Sequence, residues 1–196
     1  MLALKIGLMI GGALMLAALL WKIPYLVVKI AGLLRLDRKR QNFINGPWQT
    51  NLAVGGEGMG LMQRAMVAKY GLWALKSSET IYFTTFFDSD RRPLNVRNRY
   101  RIEGAELDAR WWAVTVYRDF HFIPNDHYRY SFAKTNLSYN PDYTWTVRLS
   151  SERQEGNWIP LGDREGILNV SLRLYNPGPT VYAGPDRIKL PRIIRE

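Results

Sequence analysis

From residue 78 onward this chain of 196 residues changes to one pattern and keeps it: short runs rich in aromatic and β-branched residues, alternating with a period of two. Residues 80–87, 98–102, 109–117, 128–132, 144–150 and 167–175 all carry it, and each has the length of a strand. In 167–175, Leu168, Val170, Leu172 and Leu174 alternate with Asn169, Ser171, Arg173 and Tyr175, which predicts one face in a core and one facing water. Trp145, Val147 and Leu149 alternate in the same way with Thr144, Thr146 and Arg148. Turn signals such as Glu103-Gly104, Asn140-Pro141-Asp142 and Asn176-Pro177-Gly178 separate the runs. With no helices interleaved, the pattern excludes a βαβ sheet and predicts a mainly β fold, an antiparallel sandwich or barrel. One amphipathic helix precedes it, over residues 59–75, where Leu61, Met62, Ala65, Met66, Leu72 and Trp73 fall at helical spacings. The Gly55-Gly56-Glu57-Gly58 stretch before it lacks the Lys-Ser/Thr of a phosphate loop.

The beginning of the chain obeys different rules. Residues 6–21 are uncharged and almost wholly apolar, and with their apolar flanks they approach the ~20 residues of a spanning helix. Lys5 is the only charged side chain before the run and no small-x-small site ends it, so an uncleaved anchor is expected rather than a signal peptide. Leu26, Val27, Ile30, Leu33 and Leu34 then share a helical face opposite Lys22 and Lys29, as in a helix lying among lipid headgroups. Arg35, Arg38, Lys39 and Arg40 follow, a cluster that anionic lipid attracts. The expected organisation is a transmembrane anchor over 1–22, a basic interfacial helix and linker over 23–45, and a β-sandwich domain over 46–196. Of the net charge of +10, seven basic and one acidic residue lie before Asn45, leaving the rest of the chain only mildly basic. No nucleic-acid partner is expected, because a phosphate-reading domain carries its basic footprint itself, and Arg91, Arg92, Arg97, Arg99 and Arg101 read as a solvated strand face. The expected partner is the lipid of an inner membrane. The excess of Lys and Arg after the span favours a cytoplasmic main domain.

Cysteine is absent and His121 and His127 are the only histidines, which excludes thiolate nucleophiles, iron–sulfur clusters and zinc fingers. Asp119, His121, Asp126 and His127 gather in one loop, but they fall short of a convincing ligand set, and no metal or cofactor is expected. Ser131 with a histidine and an aspartate lacks a Gly-x-Ser-x-Gly elbow, so no catalytic residue is assigned. Arg110 shares its strand face with Trp112 and Val114. Such a guanidinium either hooks an anion or pairs with a buried acid such as Glu79, and the paired, structural role is the one expected. Trp111, Trp112, Trp145 and Trp158 offer flat faces for a cleft or bulk for a core.

The run ARWWAVTVY at residues 109–117, Ile123-Pro124-Asn125, Arg129-Tyr130-Ser131, Asn157-Trp158-Ile159-Pro160 and Leu172-Arg173-Leu174-Tyr175-Asn176-Pro177 together resemble the bacterial family called domain of unknown function 1214. Gly46-Pro47-Trp48 and Ser78-Glu79-Thr80-Ile81-Tyr82 resemble its membrane-anchored, single-domain branch. The resemblance implies a jelly-roll-like β-sandwich on the outer side of the inner membrane, opposite to the charge count. It also implies a partner carrying the companion domain of unknown function 1254. His121-Phe122 departs from the small residues of relatives, marking that loop as specific to this chain. The family supplies no catalytic residues. The candidate ligand-binding residues are Arg110, Trp112, Tyr117, His121, Asn125, Arg129, Trp158 and Arg173. The function expected is a membrane-anchored binding or assembly module of the periplasmic envelope, the alternative being an enzyme acting on an envelope glycan or lipid through a Trp-lined cleft.

Overall fold

The computed structural model of the protein describes residues 42–57, 59–69 and 74–196. The expected anchor and interfacial helix lie outside them, and no helix among the described residues is long and apolar enough to cross a membrane. Two sheets share one core. The first has seven strands, in the order β1 (Asn42–Asn45), β2 (Trp48–Asn51), β3 (Thr80–Thr85), β10 (Leu168–Pro177), β5 (Ala109–Arg118), β6 (His121–Phe122), with β7 (Ser131–Ala133) also on β5. The second has four, in the order β11 (Arg192–Arg195), β4 (Tyr100–Gly104), β8 (Trp145–Ser150), β9 (Trp158–Pro160). Short helices α1 (Leu61–Lys69) and α2 (Pro179–Ala183) complete the described elements.

The alternation along β10 sets the layers. Leu172 stands between Phe83 of β3 and Val114 of β5, and Leu174 between Ile81 and Trp112, all in antiparallel register. Those side chains are buried with Tyr100, Ile102, Trp145, Val147, Leu149 and Ile193 of the second sheet in one cluster. Trp112 and Trp145 stack across the sheets with ring centroids 4.9 Å apart. Each such buried side chain stabilises the fold by roughly 1.5–3 kcal/mol. Trp48 is anchored to the chain end, its indole N–H donating to Pro191 O at 2.8 Å.

Several expectations are corrected. The sheets are not purely antiparallel: β9 runs parallel to β8, pairing Arg148 with Trp158 and Leu149 with Ile159. A parallel pair needs a return crossover, and the three residues of β9 are few enough for residues 151–157 to supply it. Strand β1 occupies residues expected as linker. Helix α1 is shorter than 59–75, and two residues of its expected apolar face, Leu61 and Ala65, are exposed. The arginine run is solvated as expected, though only Arg101 of it lies in a strand, and it is largely neutralised one residue at a time: Arg92 by Asp88 and Asp90, Arg97 by Glu165, Arg99 by Glu152, and Arg101 by Glu103 and Glu196.

Candidate functional site

The side chains of β10 that point away from the core meet their neighbours in rows. Ser171 lies between Thr84 and Thr115, Arg173 between Tyr82 and Ala113, and Asn169 beside Tyr117. These rows floor a cleft of about 900 Å³. Its walls come from β1 (Asn42, Phe43, Ile44), β2 (Gln49, Thr50, Asn51), the turn after β2 (Val54), helix α1 (Val67), Leu75 and Phe120. Residues 74–75 are held over the sheet by a hydrogen bond from Leu75 N to Tyr82 Oη, 2.9 Å. Gly55, at φ +78°, makes that wall close: a Cβ there would lie 2.1 Å from Leu75 O. Phe120 occupies the left-handed region, φ 65°, beside Asp119 at φ 50°, in the two-residue turn between β5 and β6. Two positive φ angles suit that hairpin, but a bulky side chain is strained there by about 1–2 kcal/mol. The strain is held while the Phe120 ring lines the cleft and meets Phe86 edge-on at 6.0 Å.

Among the described residues, Arg173 is the only cation lining this cleft, and no Asp, Glu or His lines it. Its guanidinium donates to Thr115 Oγ1 at 3.2 Å and to Tyr117 Oη, and it lies 5.6 Å from the Tyr117 ring centroid. Among the described residues it has no carboxylate partner. Asn169, 5% exposed, and Thr50 also line the cleft, and Asn169 Oδ1 and Thr50 Oγ1 are buried without a hydrogen-bond partner. The Tyr175 hydroxyl has its pKa raised, first by burial and then by the Tyr82 and Tyr117 hydroxyls, against the opposing charge of Arg173.

The expected site residues therefore separate. Tyr117 and Arg173 meet in this cleft. Arg129 and Trp158 line a second, more open hollow of about 760 Å³ with His127, where the Arg129 guanidinium sits 4.9 Å from the Phe132 ring centroid and the Trp158 indole N–H donates to Ser150 O at 3.1 Å. His121 is exposed on β6, outside both. Asn125 is a loop bracket: its Nδ2 donates to Ile123 O and Arg129 O, while its Oδ1 accepts from His127 N and Arg129 N, so its amide is already occupied. Trp112 is fully buried against Trp145, so these two do not line a Trp cleft. Arg110 overturns the buried-pair expectation. It is exposed near the start of β5, without a hydrogen bond or ion pair among the described residues, while Glu79 pairs with Lys76. Sharing a face with Trp112 did not bury it, because the core begins one row further along the strand.

Tyr82, Asn169, Ser171, Tyr175 and Phe120 were not singled out from the sequence as site residues. The polar alternation of β10 was a signal for three of them. Among the described residues no three metal-ligating side chains gather.

No curated protein matches the chain. Among solved structures it is similar to the VPA0106 protein of Vibrio parahaemolyticus, at 21% identity and a TM-score of 0.56 over 68% of this chain and 35% of that one. It is also aligned with an uncharacterised protein of Burkholderia cenocepacia at 14% identity and a TM-score of 0.41, over 60% of this chain and 29% of that one. The chain thus spans about a third of the length of these proteins, and the Vibrio likeness shows a shared fold. The family described as protein of unknown function, DUF1214, matches residues 79–179, about half of the 196, and the chain belongs to that family.

Proposed function

We propose that this protein is a membrane-anchored envelope binding module that holds a small molecule in the cleft over β3, β10 and β5. The observation that carries the reading is the cleft itself, a volume within the roughly 300–1,000 Å³ of small-molecule sites, walled by apolar side chains and floored by a few placed polar ones. Among the described residues its lining holds no carboxylate or imidazole, the groups that most often carry general acid–base chemistry, which supports binding rather than turnover. The apolar run at residues 6–21 supports placing the chain in the anchored, single-domain branch of its family. With it go a jelly-roll-like domain on the outer side of the inner membrane and a partner carrying the companion domain of unknown function 1254.

The test is native mass spectrometry of the full chain extracted from its own membranes in polymer nanodiscs. Wild type should carry a non-covalent adduct that is lost when Ser171→Trp fills the cleft floor, and also in Thr84→Trp on the neighbouring strand, with melting curves confirming that the variants fold. An unliganded wild type, or an adduct that survives in both folded variants, would overturn the reading.

A further inference from the structure

We infer that the cleft takes a monoanionic amphiphile, with one acidic headgroup on Arg173 and an apolar chain running along Phe43, Ile44, Val54, Leu75 and Phe120. This rests on the reading of the cleft as a binding site and names the class of molecule bound. The argument starts from charge. Arg173 is half-buried, and the contacts that hold it, Thr115 Oγ1, Tyr117 Oη and the Tyr117 ring, are all neutral. A guanidinium offers five N–H donors in a planar fork, and its strongest partner is a carboxylate or phosphate taken through two parallel bonds. Among the described residues every cleft-lining one is neutral apart from Arg173, so the occupant completes the ion pair. One cation sets one negative charge. A zwitterion or a cation would bring a positive group to a lining whose described residues include no acid to receive it.

The rest of the cleft decides what is attached to the charge. Inorganic phosphate would leave most of some 900 Å³ and its apolar walls in water. An apolar chain instead buries those walls, at ~0.8 kcal/mol per methylene. The second polar feature lies along the floor. Asn169 is four residues from Arg173 on the same face of β10, about 13 Å away at the strand rise, and its buried Oδ1 lacks a donor. Leaving such a group unpaired is costly, and because the atom is buried within the floor that cost is borne by the fold. The strained Phe120 turn of the β5–β6 hairpin places an aromatic ring where the chain would lie.

The test uses the full chain in phosphatidylcholine nanodiscs and three photoreactive probes with the same diazirine-bearing sixteen-carbon tail: the carboxylic acid, the monoalkyl phosphate and the uncharged methyl ester of the acid. After irradiation and digestion, an acid probe should label peptides carrying Phe43, Val54 or Phe120 at least tenfold above the ester, the size expected from one charge-assisted hydrogen-bonded pair. Which of the two acids labels more strongly identifies the headgroup. Arg173→Gln should fall to the ester level, and Arg173→Lys, which keeps the charge, should stay above it. Equal labelling by the ester, or full labelling of folded Arg173→Gln, would overturn the inference. If the native adduct of the preceding section is found while the ester labels equally well, the binding site stands and only its ligand class falls. Loss of both adduct and cleft labelling removes both.

Discussion

Gly104→Ala tests the packing on which this fold depends, because at that position one methyl group has nowhere to go. Gly104 ends β4 directly opposite Trp145 of β8, and a Cβ built there lies 2.2 Å from Trp145 Cζ2 and 2.6 Å from Cε2. Carbon atoms sit comfortably at about 3.5–4.0 Å, so the indole would have to withdraw by more than an ångström. Its other side is occupied: Trp112 stacks on it at 4.9 Å and 28°, and its N–H is tied to Ala105 O at 2.9 Å. Overpacking of this kind costs about 1–3 kcal/mol, and loss of the indole hydrogen bond adds about 1 kcal/mol. For a domain of this size, each kcal/mol moves the melting temperature by about 2–4 °C, so the expected loss is roughly 4–16 °C. The assay is a thermal melt followed by near-ultraviolet circular dichroism, which reports the stacked indoles directly. Trp145→Phe removes the six-membered ring that would clash. In that background Gly104→Ala should therefore cost less, with a coupling of about 0.5–3 kcal/mol. A melt of Gly104→Ala within a degree of wild type, or the same cost in both backgrounds, would refute the packing argument.

Arg110→Ala should change stability by no more than about 0.5 kcal/mol, as an exposed substitution does; a melting loss of five degrees or more would restore the buried ion pair. Asn157→Asp should be far more costly. Nδ2 of this buried amide donates to Ser138 O at 2.8 Å and Thr146 O at 3.0 Å, while Oδ1 accepts from Ser138 N, so a carboxylate would turn an acceptor toward two carbonyls. A loss of more than about 3 kcal/mol is expected, and denaturant unfolding showing less than 1 kcal/mol would contradict it. Tyr175→Phe concerns pH. Burial raises the Tyr175 pKa, so the neutral phenol stabilises the fold fully below about pH 10, and that contribution is lost as pH climbs through the raised value. The Phe variant should match the wild type's pH trend at pH 8–9 and lose less stability above pH 10; identical alkaline limbs in denaturant titrations would show that Tyr175 is not the group responsible.

How much of this was legible depended on whether a residue's environment is local. The long strands were, because ten residues of β5 or β10 carry several repeats of the alternation, even though their burial runs through both faces, over 112–117 in β5 and 168–172 in β10. The strands β6 and β9, of two and three residues, carry no period at all, and their existence follows from what β5 and β8 offer as pairing partners. Arg110 and Trp112 show the same limit on a single face. They are two residues apart and alike in alternation, yet one is exposed and the other fully buried, since burial depends on how far the opposing sheet reaches. Asn125 and Asn157 were noticed as parts of motifs, and both prove to be brackets that tie loops together. A motif marks a position with few acceptable residues, and a saturated amide in a tight loop is as demanding as a ligand contact.

The outward face of β10 is where the local reading failed in the most informative way. Alternation assigned Asn169, Ser171, Arg173 and Tyr175 to water, but Asn169 is 5% and Ser171 7% exposed. Alternation reports polarity, and polarity equals exposure only where nothing else covers the sheet. Here the cover is assembled from the β1–β2 hairpin, the turn at Val54, helix α1 and residues 74–75, all distant from β10 in sequence, and it mixes apolar Phe43, Ile44, Val54, Val67 and Leu75 with polar Asn42, Gln49, Thr50 and Asn51. Burying polar side chains between floor and cover costs stability wherever a partner is missing, as at Asn169 Oδ1 and Thr50 Oγ1. Had stability alone shaped this face, apolar residues on β10 would have closed it as a second core. A polar floor, a guanidinium with no carboxylate partner among the described residues and walls that are apolar in large part instead suit the proposed occupant, a molecule with a charged end and an apolar body.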